Sequence, residues 1–197
     1  MTPASNNYIY GNQPFSVVGN DNVGVAKTAL YYSTDPEAPL ESWTLIDEHN
    51  GSSYSQNIDT TVMPNGVVYV VAKIYDAVGN FTYSPKQRYM CDNQGPEQVK
   101  NVKCIAVDGT TATLSWSDVS DDDISYFVVE CKQSDGVWKS VSRTSTNLGV
   151  NLSGLTPEHD YVYRVIGYDK RSNRGTPSEE IIVTTLKDTI CPKVTKI

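Results

Sequence analysis

Four carboxylates stand close together in the segment DVSDDDI, and they are the densest group of potential metal ligands in the chain. They are Asp118, Asp121, Asp122 and Asp123. Carboxylate oxygens suit Ca²⁺, which takes about six to eight oxygen ligands. A solvated acidic loop is the favoured alternative for such a run. The four residues are therefore weak calcium candidates, and we predict no firmly held metal.

Residues that could perform catalysis are sparse. The two histidines, His49 and His159, fall in predicted turns, and neither has a nucleophile or a second base nearby in the sequence. No glycine-rich phosphate-binding motif occurs. We therefore predict that the chain is not an enzyme and holds no cofactor.

Two tryptophans, Trp43 and Trp138, lie on predicted strands. An exposed tryptophan could stack on a sugar ring, but packing between neighbouring strands is the favoured alternative. The cysteines are Cys91, Cys104, Cys131 and Cys191, and their spacing matches no zinc motif. Without a dense framework, free thiols are favoured over disulfides.

Charge and hydropathy exclude two classes of partner. The 197 residues carry a net charge of −7, which disfavours nucleic acid and anionic membrane surfaces. No apolar run reaches the roughly 18 residues that a membrane span needs.

The elements that must position these residues are strands. Short alternating runs are separated by turn residues, for example at 20–22, 50–51 and 79–80. A helical period never persists over about 11 residues. The pattern predicts an all-β chain of two tandem antiparallel β-sandwiches.

A repeated segment marks the domain boundaries. DNQGPEQV, starting at Asp92, is matched by DTICPKV, starting at Asp188, and in both a proline follows four residues later. The interval is the size of one sandwich domain. We expect domains at 1–92 and 93–187, with 188–197 as a linker or the opening of a further domain, or alternatively a disordered tail.

The second domain resembles a fibronectin type III domain over residues 96–187. TATLSW is similar to that family's strand B, with Trp116 as its core tryptophan, and ISYFVVE is similar to strand C. The resemblance implies that Tyr126 and Val128 face inward. Cys131 is out of phase with these two residues, and in this family its strand and that of Cys104 belong to different sheets, so we expect Cys131 to point away from Cys104.

LSGLTPEHDYVYRVIGYD is similar to the same family's E–F corner and strand F. Leu155, Pro157 and Tyr161 fit the tyrosine corner, in which the tyrosine hydroxyl bonds back to the backbone. The resemblance implies that Tyr161 is mostly buried and that its hydroxyl bonds the backbone close to Leu155.

The first domain resembles the Ig-like modules of large bacterial surface and secreted proteins. GNDNVGVAKTALYYS and MPNGVVYVVAKIYDAVGN carry this resemblance, although Asn65 stands where those modules prefer Asp and Val68 where they prefer an aromatic residue. The order of modules is similar to tandem arrays in secreted glycoside hydrolases and YD-repeat surface proteins.

DAVGN and DKRSN occupy corresponding places after strand F. Asp76 and Asp169 can accept hydrogen bonds from N–H groups inside the turn. Gly79 can supply a positive φ, and Asn80 or Asn173 tolerates the left-handed region. A structural turn is favoured over a calcium ligand, because one carboxylate is a thin shell for this ion.

These observations predict an extracellular, monomeric, non-catalytic spacer or scaffold within a larger bacterial protein. Its partners would be the parent protein's other domains, with no nucleic acid and no membrane span. The alternatives are a carbohydrate-binding accessory module of a glycan-degrading enzyme and a module for adhesion to a surface protein.

Overall fold

The computed structural model describes residues 1–189, and the chain divides into two compact units between Asn93 and Gln94. Both units are β-sandwiches, so the predicted fold class is confirmed. Within the described residues, no helix has the length and apolar character to cross a membrane. The predicted opening of a further domain lies almost wholly outside the described residues, as does Cys191.

The first unit contains eight described strands, which form two sheets. They are β1 (Tyr8–Ile9), β2 (Asn12–Val18), β3 (Val25–Ser33), β4 (Thr44–Asn50), β5 (Ser53–Asp59), β6 (Gly66–Asp76), β7 (Phe81–Tyr83) and β8 (Gln87–Cys91). One sheet has the order β1-β8-β6-β3-β4, with β7 also paired to β6, and the other consists of β2 and β5. The turns between β2 and β3, β4 and β5, and β6 and β7 fall where the sequence predicts them.

The core of the first unit comes from alternating strand residues. Phe15, Tyr54 and Tyr89 are among its largest buried side chains, and the Phe15 and Tyr89 rings meet edge to face at 5.6 Å. The Tyr89 hydroxyl donates to the carbonyl of Pro3 at 2.7 Å, and burial raises the pKa of Tyr89 to about 12. A buried phenol thus finds an acceptor at the edge of the core.

The first and last strands of this unit run parallel, whereas its other strand pairs are antiparallel. Tyr8 pairs with Met90 and Ile9 with Cys91. The Met90 N–H donates to the Asn7 carbonyl at 3.0 Å. The start of the chain is therefore fixed to the end of the unit.

The second unit contains seven described strands in two sheets. They are β9 (Lys103–Val107), β10 (Thr111–Ser115), β11 (Ile124–Lys132), β12 (Trp138–Thr144), β13 (Gly149–Ser153), β14 (Asp160–Asp169) and β15 (Ile181–Thr184). The sheet orders are β13-β10-β9 and β12-β11-β14-β15, with antiparallel pairing throughout.

The inward face of β11 is opposite to the one expected from the sequence. Phe127 and Val129 are fully buried, whereas Tyr126 and Val128 are half-buried on the other face. The prediction was wrong because four consecutive apolar residues leave the alternation ambiguous. Glu130 continues the phase of Tyr126 and Val128, and a charged residue belongs on the outer face.

The same error affects the thiols. Cys131 shares the phase of Phe127 and Val129, so its side chain is buried in the core, and half-buried Cys104 packs against that core. Cys131 was expected to be out of phase with the inward face and to point away from Cys104, but both side chains belong to the same core, so that expectation was wrong. Cys91, Cys104 and Cys131 are nevertheless free thiols, as expected.

A serine hydroxyl replaces a backbone partner at the corresponding place in each unit. Ser84 Oγ accepts from the Ala72 N–H of β6, and Ser178 Oγ accepts from the Val165 N–H of β14, both at 2.9 Å. Each serine adjoins a proline, which cannot donate to a ladder. The serine hydroxyl therefore gives a hydrogen-bond partner to a backbone N–H group of the central strand, at a point where the neighbouring chain no longer pairs with it.

Two adjacent valines test which face of β11 is buried in the core. We expect Val129→Ala to lower the free energy of unfolding of the second unit by about 2 kcal/mol, because it leaves a cavity in the core. The control Val128→Ala should cost less than about 1 kcal/mol, because it lies on the outer face. Urea unfolding followed through NMR signals of this unit measures both, and equal losses would contradict the assignment.

Candidate functional site

The acidic loop between β10 and β11 is held mainly by its own backbone and by the loop after β14. Asp118 Oδ1 accepts from the Val119 N–H at 2.9 Å, and Asp121 Oδ1 accepts from the Asp123 N–H at 3.1 Å. Asp123 pairs with Arg171.

Lys170 Nζ reaches the carbonyl of Asp122 at 3.3 Å. Within the described part of the chain, no three of Asp118, Asp121, Asp122 and Asp123 converge as a group of ligands. The described contacts thus hold the loop through its own backbone, Lys170 and Arg171, and the weak calcium candidacy of the four residues stays a prediction.

The two Asp-containing turns have nearly the same geometry. Asp169 Oδ1 accepts from the N–H groups of Arg171 and Asn173, both at 2.8 Å, and its Oδ2 accepts from Asn173 Nδ2 at 2.7 Å. Asp76 makes the corresponding bonds to Val78 and Asn80, at 2.9, 2.8 and 2.7 Å. Each carboxylate thus organises the turn that follows its strand.

The role expected of the turn asparagines needs correction. Positive φ angles occur at Gly79 (94°) and at Ser172 (65°), and not at Asn80 or Asn173. The asparagines instead donate their side-chain amides to the aspartates. Three residues after the aspartate the chain needs a left-handed residue, and Ser172 occupies that position where the first unit has glycine.

The tyrosine at the start of β14 bonds back to the preceding corner. Tyr161 is half-buried, and its hydroxyl accepts from the Thr156 N–H at 2.9 Å. The N–H of Leu155, one residue earlier, donates to the Thr110 carbonyl at 3.0 Å. Pro157 begins the turn that redirects the chain into β14, so this proline and tyrosine together shape the crossing between sheets.

Thr185 is a second residue whose side chain holds this corner in place, and this role was not predicted from the sequence. It is buried, its Oγ1 donates to the Thr156 carbonyl at 2.6 Å, and it accepts from the His159 N–H at 3.0 Å. A threonine after a short final strand gives no local signal for such a role, because its partners lie 26 to 29 residues earlier.

A charged and aromatic network covers the outer face of the four-stranded sheet. Glu130 is paired with Arg164 at 2.6 Å and with Arg174 at 3.4 Å. The Arg164 guanidinium also lies 4.0 Å from the centre of the Trp138 ring. Trp138 is therefore half-buried and covered on one side by an arginine, an arrangement that the cation–π attraction stabilises.

The same face of the sheet carries a second cluster nearby, in which two tyrosine rings and an arginine stack on one another. Tyr126 and Tyr168 are stacked at 4.8 Å with planes 7° apart, and Arg143 lies 3.5 Å over the Tyr126 ring. Tyr126 therefore has a role on the outer surface, not in the core. Trp116 does lie in the core, at 5.6 Å from Phe127 in an edge-to-face arrangement.

A lysine and aromatic cluster lies on the larger sheet of the first unit. Lys73 Nζ is 3.8 Å from the Phe81 ring centre, 5.0 Å from that of Tyr75 and 5.3 Å from that of Tyr83. The planes of Tyr75 and Phe81 meet at 53°, and those of Phe81 and Tyr83 at 78°.

Trp43, by contrast, is buried, and its indole N–H donates to the Ala38 carbonyl.

Known protein families give an independent assignment of the second unit. Residues 97–184 match the family model described as "Fibronectin type III domain". The second unit is a fibronectin type III domain. The edge-to-face packing of Trp116 on Phe127 and the hydrogen bond from the Thr156 N–H to the Tyr161 hydroxyl are therefore parts of a fibronectin type III domain. None of the curated proteins matches the chain.

Solved structures of tandem domains share the fold of the whole chain. The crystal structure of the chicken CNTN1 FN1-FN3 domains is 13% identical, with a TM-score of 0.53 over 93% of this chain and 69% of that one. A crystal structure of consecutive titin domains is 16% identical, with a TM-score of 0.55 over 93% of this chain and 62% of that one. At these identities the likeness shows the fold alone.

Two tyrosines separated by one residue in the fibronectin type III domain test the corner. We expect Tyr161→Phe to lower its free energy of unfolding by about 1 kcal/mol, because a hydrogen bond is lost. Tyr163→Phe is the matched control. The Tyr163 hydroxyl has no hydrogen-bond partner within residues 1–189, so its loss should cost little. Urea unfolding measures both, and a neutral Tyr161→Phe would contradict the fastening role of the hydroxyl.

Proposed function

We propose that the chain is a non-catalytic spacer or scaffold segment of a larger extracellular bacterial protein, with an Ig-like first unit and a fibronectin type III second unit. Its partners are the other domains of that protein, and the segment itself is monomeric. It sets the distance between the domains on either side.

The observation that carries this proposal is that each unit has a separate core. The first core is built from residues between Ile9 and Cys91, and the second from residues between Val99 and Val183. A unit that buries its own apolar side chains folds without help from its neighbours. Such self-contained units are what a modular spacer requires.

The uses of the reactive side chains also support a structural role. Asp76 and Asp169 hold turns, Tyr161 fastens a corner, and Glu130 is neutralised by two arginines. These four side chains, which have groups that could do chemistry, thereby contribute to the fold.

The aromatic clusters bear on the carbohydrate-binding alternative. A sugar-stacking platform needs exposed rings lying in one plane. The rings around Lys73 in the first unit are strongly inclined to one another, and one face of Tyr126 is covered by Arg143. These arrangements favour the spacer over the carbohydrate-binding module.

Core-breaking variants of the full chain test whether the units are self-contained. We expect Leu114→Asp to unfold the second unit and to leave the first unit's NMR signals in place, because a charge cannot be buried unpaired. Leu30→Asp is the matched variant, and it should spare the second unit. Loss of both sets of signals in either variant would contradict the proposal.

A glycan array probed with the full chain tests the alternative. The spacer proposal predicts no reproducible binding. Consistent binding to one class of sugar would instead identify a carbohydrate-binding module.

A further inference from the structure

A cleft of about 290 Å³ opens in the second unit where the edge strands β12 and β13 of the two sheets face each other. Its walls include Val141 and Ser142 of β12, Leu152 of β13 and Tyr161 and Tyr163 of β14. The cleft also reaches the thiol-bearing residue Cys131, which is buried in the core. The opening therefore leads from solvent to the edge of the core.

The Tyr163 hydroxyl is the unusual feature of this cleft. The side chain is only 2% exposed, yet within residues 1–189 its hydroxyl has no hydrogen-bond partner. It does not belong with the fully enclosed unpartnered atoms such as Trp116 Nε1, so it retains accessible surface. A nearly buried hydroxyl without a partner is unfavourable, and an acceptor placed in the cleft would satisfy it.

The surroundings determine the charge of a suitable ligand. Every side chain lining the cleft is uncharged, and the apolar groups of Val141, Leu152 and Leu155 share the lining with polar side chains such as Gln133 and Asn151. Burial raises the pKa of Tyr163 and of Cys131, so both groups are protonated and neutral near pH 7. An anionic or cationic ligand would lose its hydration here without gaining a counter-charge.

We propose that this cleft binds a small, neutral, largely apolar molecule through one oxygen that accepts a hydrogen bond from the Tyr163 hydroxyl. The volume lies near the lower end of the roughly 300–1,000 Å³ of ligand pockets, which suits a molecule of about one ring. This site is separate from the spacer role, and either can hold without the other.

An NMR titration of the full 197-residue chain with three matched probes tests the proposal. Acetophenone has a ring and a carbonyl oxygen, ethylbenzene has nearly the same shape without the oxygen, and benzoate carries a negative charge. We expect acetophenone to shift the amide signals of residues around the cleft, such as Leu152 and Ser142. Ethylbenzene should bind about fivefold more weakly, the worth of one hydrogen bond, and benzoate weaker still.

Removal of one oxygen atom from the protein gives the reciprocal test. Tyr163→Phe should weaken acetophenone binding about fivefold and leave ethylbenzene binding unchanged. Tyr168→Phe, on the outer face of the sheet, is the control and should change neither.

Alkylation of Cys131 gives a readout that does not depend on the variants. Saturating acetophenone should slow the reaction of this thiol with N-ethylmaleimide and leave that of Cys91 in the first unit unchanged. Any of three results would overturn the proposal: no shifts around the cleft, equal affinity for acetophenone and ethylbenzene, or an unchanged affinity in Tyr163→Phe.

Discussion

A sandwich of two sheets depends on satisfying the backbone where the chain crosses from one sheet to the other. Each crossing removes N–H and C=O groups from the strand ladders, and a group left buried without a partner costs about 1–3 kcal/mol. In the second unit Tyr161 and Thr185 supply the partners at the crossing from β13 to β14. In the first unit Asn93 has a comparable role at the crossing from β1 to β2, where its side-chain oxygen accepts from the Gly11 N–H at 2.6 Å. Polar side chains at these crossings therefore make the apolar cores possible.

The parts of the structure that follow from local rules could be predicted from the sequence. Alternation and turn residues predict the strands, and the segment from Leu155 to Tyr161 predicts the corner. The phase of β11 could also have been predicted, because Glu130 and Lys132 mark its outer face. Tyr126 and Val128 were instead assigned to the core from the resemblance to strand C of the family, without regard to these two charged residues.

The networks on the outer faces could not be predicted in the same way. Arg164 contacts Trp138, and Glu130 joins Arg164 to Arg174, only because β12, β11 and β14 lie side by side in register. Lys73 likewise reaches Phe81 and Tyr83 because β7 pairs with β6. Cross-strand contacts depend on pairing and register, and a single sequence specifies these only through the turns and the buried face. The cleft beside Tyr163 is still harder to predict from the sequence, because it forms only where the edge strands of two separate sheets face each other.

The parallel pairing of β1 with β8 has a mechanical consequence when the chain is pulled from its two ends. Tension on the chain pulls β1 towards its amino end and β8 towards its carboxyl end. Because the strands run parallel, this tension acts along the pair and shears its hydrogen bonds, including that from Met90 to Asn7, together. Bonds loaded together resist more than bonds opened one after another, and the lifetime of a unit under load is set by its unfolding rate. The described strands of the second unit pair only antiparallel, so the two units differ in how they carry force.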